Sequence, residues 1–208
     1  MIKRLKNIYH YALAFIGSII YGLPSKKIFV LGVTGTKGKS TTIELINAIL
    51  EAEGKKTALI SSVRLKVNKV VEKNLSAMTM PGRFALQKFL RRAVNAGCDY
   101  ALIEVTSQGV LQSRHRFIDF NSALFLNLQP EHIEAHGSFE NYREAKVKFF
   151  RDAAKNCRKK SKTFFVNEGD QNHHHFADAV RDCGKVIYFS RESFIDKELN
   201  KGKEKIGD

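Results

Sequence analysis

The stretch 32-GVTGTKGKSTT-42 decides the fold. It closes the apolar run 27-KIFVLGV-33 and opens a segment whose apolar residues, Ile43, Ile46, Ala48, Ile49 and Leu50, recur with helical spacing as far as Gly54. A short buried strand, a glycine-rich turn and Lys-Ser at the head of a helix form a device for holding a polyphosphate. Gly35 and Gly38 permit backbone conformations that other residues resist, so successive amides can face phosphate oxygens. The helix N-terminus adds partial positive charge. Lys39 can neutralise the β- and γ-phosphates, and Ser40 can offer its hydroxyl to Mg²⁺. The nucleotide-binding set predicted here is Gly35, Thr36, Lys37, Gly38, Lys39, Ser40 and Thr41. The general pattern G-x-x-x-x-G-K-[ST] is not met in full, because Val33 falls where its first glycine would.

Working outward, strands and helices alternate. Residues 56-60 read as a second strand, 62-72 as an extended or edge segment, and Met80-Pro81-Gly82 as a break before a helix that ends near Gly97. Tyr100 to Val105 and Ser122 to Leu128 read as buried strands. Phe139 to Ala154 reads as a helix with Tyr142, Ala145, Phe149 and Phe150 inward. Thr163 to Val166 and Val186 to Phe189 read as strands with a helix between them. This order predicts an α/β class: a three-layer α/β/α domain carrying the phosphate loop, its sheet mostly parallel and covered on both faces. The expected divisions are an apolar helical segment over 1-25, an ATP-binding domain over 26-192 and a polar tail over 193-208.

Composition narrows the function classes. The chain has 208 residues, enough for one such domain, and a formal charge of +14. That excess suits phosphate-bearing substrates. The basic residues are scattered, densest at Arg158-Lys159-Lys160 and from Lys197 to Lys205, with no aromatic-basic RNA motif or helix-turn-helix signature. Nucleic acid is therefore not an expected partner. Cys98, Cys157 and Cys183 have neither disulfide-framework nor metal-ligand spacing, which suits a reducing cytoplasm. The run 11-YALAFIGSIIYGL-23 is too short to span a bilayer, for which about 20 apolar residues are needed. No small-residue cleavage site follows it. The expectation is a helix packed on the domain, and the rival is membrane-surface contact by residues 8-23.

The loop TGTKGKSTT resembles those of Mur ligases and folylpolyglutamate synthases, and longer segments separate the two families. The segment 104-EVTSQGVLQSR-114 resembles the E-V-S-S-H-A-L-x-Q-x-R stretch of MurE, the ligase that extends UDP-N-acetylmuramoyl-dipeptide. The segment 127-NLQPEHIEAHGSFENYREAKVKFF-150 is similar to that family's N-L-x-x-D-H-x-x-x-H-G…Y-x-x-A-K-x-x-L-F, and Thr79-Met80-Pro81 occupies the place of its T-T-P substrate loop. The resemblance implies an ATP-dependent ligase that activates a carboxylate as an acyl phosphate, which an amino acid's amine then attacks. It implies Asn127 at the nucleotide, and Ser40, Glu104, His132 and Lys146 at Mg²⁺. Lys146 would act as a carbamate, formed when a neutral, desolvated amine adds CO₂. It implies Thr79, Met80, Thr106, Gln112 and Arg114 at a UDP-N-acetylmuramoyl-peptide.

Independently of the resemblance, Glu104 ends a buried strand, so it should emerge at the carboxyl edge of the sheet near Ser40. His115 and Arg116 read as solvated neighbours of Arg114, and His173-His174-His175 as a surface feature. Gln108, Glu131 and Met80 depart from the MurE pattern, which leaves the peptide substrate less defined than the ATP chemistry. About 25 residues precede the first strand, and nothing after residue 190 could form the family's C-terminal domain. The expectation is a ligase core that binds nucleotide and needs a further domain, in a longer chain or a partner, to ligate. The alternatives are a non-catalytic nucleotide-binding subunit and a folylpolyglutamate-synthase-like ligase.

Overall fold

A computed structural model describes residues 2–74, 78–131, 133–156 and 162–192, with residues 2–7, 155 and 156 described by backbone alone. His132, Cys157 and the basic runs at 158–160 and 197–205 lie outside the described residues. Helix α1 (Ile2–Ile20) is followed by β1 (Phe29–Thr34), α2 (Lys39–Ala52), β2 (Thr57–Ile60), β3 (Arg64–Val67) and β4 (Val70–Lys73). Then come α3 (Arg83–Asn95), β5 (Tyr100–Glu104), α4 (Ser107–Leu111), β6 (Ser122–Phe125), α5 (Ile133–His136) and α6 (Phe139–Asn156). The last described elements are β7 (Thr163–Asn167), α7 (His173–Asp178) and β8 (Lys185–Phe189).

The strands form one sheet in the order β4-β3-β2-β5-β1-β6-β7-β8. All pairings from β2 through β8 are parallel, whereas β2-β3 and β3-β4 are antiparallel. The predicted parallel α/β architecture is therefore present, and the extended 62-72 segment is an antiparallel hairpin on one edge. Alternate side chains of β1 serve the two faces: Val30 joins the core under α3, α6 and α7, while Leu31 and Val33 join the core under α2. The chain runs from β1 outward to β2, returns to β5, and then crosses to β6 on the far side of β1. Open parallel sheets bind ligands at the carboxyl ends of strands around such a reversal.

Two sequence expectations need correction. The inward face of α2 is Ile43, Asn47 and the half-buried Ile46 and Leu50, whereas Ala48 and Ile49 are exposed. Asn47 takes an inward position because its polar groups are satisfied there. Its Oδ1 accepts from Thr57 Oγ1 at 2.6 Å and Lys66 Nζ at 3.1 Å, and its Nδ2 donates to Glu51 at 2.8 Å. His115 is not solvated. It is 2% exposed, and its Nε2 meets Asp152 Oδ2 at 2.8 Å on α6. Burial lowers the His115 pKa, with Asp152 opposing. Burial alone would raise the Asp152 carboxyl, but hydrogen bonds from His115 and Lys148 bring it down to about 2. Arg116 adds an ion pair with Asp152 at 3.2 Å, so it too is a structural tie.

Candidate functional site

The loop between β1 and α2 sits over the carboxyl ends of the three central strands, β5, β1 and β6. Gly38 caps α2 at φ 81°, a left-handed conformation that L side chains rarely adopt. A Cβ on Gly35 would lie 3.0 Å from Leu126 Cβ, so the loop approaches the end of β6 closely enough to crowd any side chain there. The first amides of α2 have no acceptor within the helix, the property that makes a helix N-terminus receptive to an anion.

Asn127 holds this loop in shape. Its Oδ1 accepts from the amides of Thr36 at 3.1 Å and Lys37 at 3.0 Å, and its Nδ2 donates to Lys37 O at 3.1 Å. The sequence reading put Asn127 and those two amides at the nucleotide. The geometry makes Asn127 a clamp on the loop, with the Thr36 and Lys37 amides turned to its side chain. Thr36 is buried, and its hydroxyl lies 3.2 Å from the Tyr142 hydroxyl. Lys37, Gly38 and Thr41 are exposed.

Charge converges behind the loop. Lys39 Nζ donates to Thr36 O at 2.8 Å and stands 3.8 Å from Glu104 Oε1. Burial lowers the Lys39 pKa, against the raising influence of Glu104 and Glu131. Glu104, 3% exposed at the end of β5, accepts at Oε2 from Ser40 Oγ at 2.7 Å and from Ser62 N at 3.0 Å. Lys146 enters from α6 and donates to Gly35 O at 2.7 Å, with its Nζ 4.7 Å from the centre of the Tyr142 ring. Burial, reinforced by the Lys39 charge, pushes the Lys146 amine down to about 7.

Among the described residues no group of three or more His, Cys, Asp or Glu is gathered as a metal cage. The arrangement present is different: one buried carboxylate and one hydroxyl, both hard oxygen donors, beside a phosphate loop. That set fits Mg²⁺, which commonly takes one or two protein ligands and completes its shell with phosphate and water. His132 lies outside the described residues. His173–His175 begin α7, and the His173 ring is 2.8 Å from Asp170 O.

The residues assigned to a second substrate form an adjoining cluster. Thr106 caps α4, its hydroxyl accepting from Gly109 N at 3.1 Å. Arg114 donates to Gln112 Oε1 from Nε at 3.1 Å and Nη2 at 2.7 Å, and from Nη1 to the Met80 carbonyl. Arg83 Nε donates to Gln112 O at 3.0 Å. Thr79 is half-buried beside this cluster. Met80 departs from its assignment. Its side chain is 1% exposed and packs against Gly109, so it anchors the loop instead of lining an open site. Sequence reasoning missed Ser62, whose amide and hydroxyl both reach this site, the latter 2.8 Å from Ser40 Oγ. Its signal was available: it follows β2, the strand beside β5, at the same edge.

The family model for the Mur ligase middle domain matches residues 33–206. The chain is 40% identical over 139 residues to a UDP-N-acetylmuramoyl-L-alanyl-D-glutamate–2,6-diaminopimelate ligase of Syntrophomonas wolfei, covering 67% of this chain and 28% of that one. It is 36% identical over 193 residues to a UDP-N-acetylmuramyl-tripeptide synthetase of Roseiflexus sp., covering 89% of this chain and 38% of the relative. The chain thus spans between a quarter and two-fifths of these relatives. A solved UDP-N-acetylmuramoyl-L-alanyl-D-glutamate–2,6-diaminopimelate ligase superposes with a TM-score of 0.67 at 25% identity, over 78% of this chain and 32% of that one. Escherichia coli FolC superposes at 0.62 with 20% identity, over 85% and 46%, a likeness of fold alone.

Proposed function

Because the chain belongs to the Mur ligase family and carries its middle domain, we propose that it is the ATP-binding core of a MurE-like ligase of peptidoglycan precursor synthesis, working in the cytoplasm. The observation that carries this reading is the convergence of Lys39, Ser40, Glu104 and Lys146 on one phosphate loop. Mg²⁺-ATP, when bound, supplies the phosphoryl group that turns a substrate carboxylate into an acyl phosphate. The helix amides from Gly38 onward and the Lys39 ammonium hold the β- and γ-phosphates and stabilise the charge that develops in transfer. Ser40 and Glu104 would hold Mg²⁺, and the resemblance adds His132 as a further ligand. The Lys146 amine, part neutral at pH 7, adds CO₂ and loses a proton to become a carbamate, a second carboxylate facing the loop.

Thr79, Thr106, Gln112 and Arg114 hold the UDP-N-acetylmuramoyl-peptide, with Arg114 exchanging part of its bond to Gln112 for a substrate carboxylate or phosphate. UDP-N-acetylmuramoyl-L-alanyl-D-glutamate, titrated into the chain loaded with a non-hydrolysable ATP analogue, is expected to bind. Arg114→Ala should weaken that binding about tenfold or more while leaving nucleotide affinity unchanged, as loss of a charged hydrogen bond of about 1.5–3 kcal/mol requires. Equal affinity in the variant removes Arg114 from the site. Binding of a pteroyl-glutamate instead of the muramoyl peptide would favour the folylpolyglutamate-synthase-like alternative.

A further inference from the structure

Helix α1 packs on the domain through its small side chains and turns its bulky ones outward. Ala14, Gly17 and Ser18 are buried, Gly17 lying against the Phe84 ring of α3, and Arg91 of α3 fastens the helix end through Tyr21 O at 2.7 Å and Gly22 O at 2.8 Å. At roughly 100° per residue, Tyr11, Phe15, Ile8, Ile19, Ala12, Ile16, Tyr9 and Ile20 fill the opposite half of the cylinder in an unbroken arc. All eight are exposed, Ile8, Tyr9, Ile19 and Ile20 by 54–64%. Within residues 8–20 no charged residue interrupts that arc. Phe117 extends it, 4.9 Å from the Tyr11 ring and 5.2 Å from Phe15. A solvent-facing helix normally shows the reverse polarity, and a continuous apolar surface of this kind marks a docking face.

Charge identifies the occupant. No Asp or Glu occurs before Glu44, while Lys3, Arg4, Lys6, Lys26, Lys27, Lys37 and Lys39 all do. The exposed Lys26 borders the groove beside Tyr11, Phe15 and Ile19, together with Arg116, which is paired to Asp152, and the buried Asp119. No described helix is long and apolar enough to cross a membrane, and α1 is fixed lengthwise to α3. An apolar half-cylinder with basic flanks, held parallel to the surface that carries it, is the form of an interfacial helix. We propose that α1 seats this domain on an anionic lipid bilayer, burying the arc of Ile8, Tyr11, Phe15, Ile16, Ile19 and Ile20 at the headgroup boundary. A second groove that shares Tyr11 and Arg116 reaches Leu111 and Ser113, the chain neighbours of Gln112, so the seated domain would present the second-substrate cluster close to the bilayer.

The test is flotation of the full chain with vesicles of phosphatidylglycerol and phosphatidylcholine, against vesicles of phosphatidylcholine alone. The expected result is binding to the anionic vesicles that falls as salt rises. The triple variant Phe15→Ser/Ile16→Ser/Ile19→Ser, and separately Ile20→Glu, should bind about tenfold more weakly or less. Both variants change exposed positions only, and unchanged circular dichroism and melting temperature confirm their fold. No flotation of the wild type overturns the proposal, as does flotation that both variants retain, which would be charge attraction without the helix. Concentration-dependent dimerisation lost in the variants, without vesicle binding, would assign the face to a second copy.

Discussion

Lys146→Met is expected to make the ligand-free protein more stable at pH 7 while removing its contribution to the site. The buried amine has its pKa brought down to about 7 from an ordinary 10.5. The folded state therefore prefers the neutral amine, while the unfolded chain stays protonated up to pH 10.5. Between those values the unfolded state binds more protons, so stability rises with pH across that window. Below pH 7 both states are charged and the penalty stands at its full size, roughly 4–5 kcal/mol at about 1.4 kcal/mol per unit. Methionine has similar length and no charge, but it forfeits the hydrogen bond to Gly35 O, worth about 1 kcal/mol. The net gain expected at pH 7 is about 2–3 kcal/mol, a melting temperature higher by roughly 5–10 °C for a chain of this size. That advantage should shrink steadily toward pH 10. Thermal melts of both proteins from pH 6 to 10 check it, and a variant less stable at pH 7 would mean that Lys146 is not held at the expense of folding. A stabilising substitution at a buried polar position is the signature of a residue kept for function.

Glu104→Gln is expected to uncouple nucleotide binding from Mg²⁺. Glu104 is the buried carboxylate that reaches both Ser40 and Lys39, through Oε2 at 2.7 Å and Oε1 at 3.8 Å. Glutamine preserves the shape and can still accept from the Ser40 hydroxyl and Ser62 amide, so the loop should keep its form. It cannot offer an anionic ligand to a divalent cation. Loss of support for a metal ligand costs about 10–100-fold in metal affinity, and loss of the ligand's charge should cost no less. ATP affinity in millimolar Mg²⁺ should therefore fall by that factor, while affinity in excess chelator changes little. Titrations with and without Mg²⁺ separate the two effects, and an equal loss in both conditions would make Glu104 a structural residue of the loop.

The central architecture was legible because it rests on local signals. The apolar run ending at Val33, the glycines and the Lys-Ser at the head of α2 fix strand, turn and helix without help from distant residues. What escaped depends on partners far along the chain. Asn47 is absent from the apolar face read for α2, and it turns inward because Thr57 and Lys66 supply its hydrogen bonds. His115 reads as a solvated neighbour of Arg114 until α6 brings Asp152 beside it, 37 positions away. Met80 sits in a loop whose sequence suggests substrate, yet Gly109 opens the space that buries its side chain. Asn127 and Thr36 read as nucleotide contacts, and that the Asn127 side chain accepts from the Thr36 amide is a matter of geometry that spacing does not carry. The outward face of α1 is the converse case. Its apolar residues were plain in the sequence, and only the packing of Ala14, Gly17 and Ser18 reveals that the bulkier half is the exposed one.

The claim on which the rest depends is that the 32–42 loop holds a polyphosphate through Lys39. Calorimetric titration of Mg²⁺-ATP into the wild-type chain and into Lys39→Ala tests it most directly. The account predicts one site in the wild type and a loss of about 100-fold in the variant, the scale of a partly buried charge contact of about 3 kcal/mol. Equal binding by both proteins, or none by a folded wild type, would contradict it.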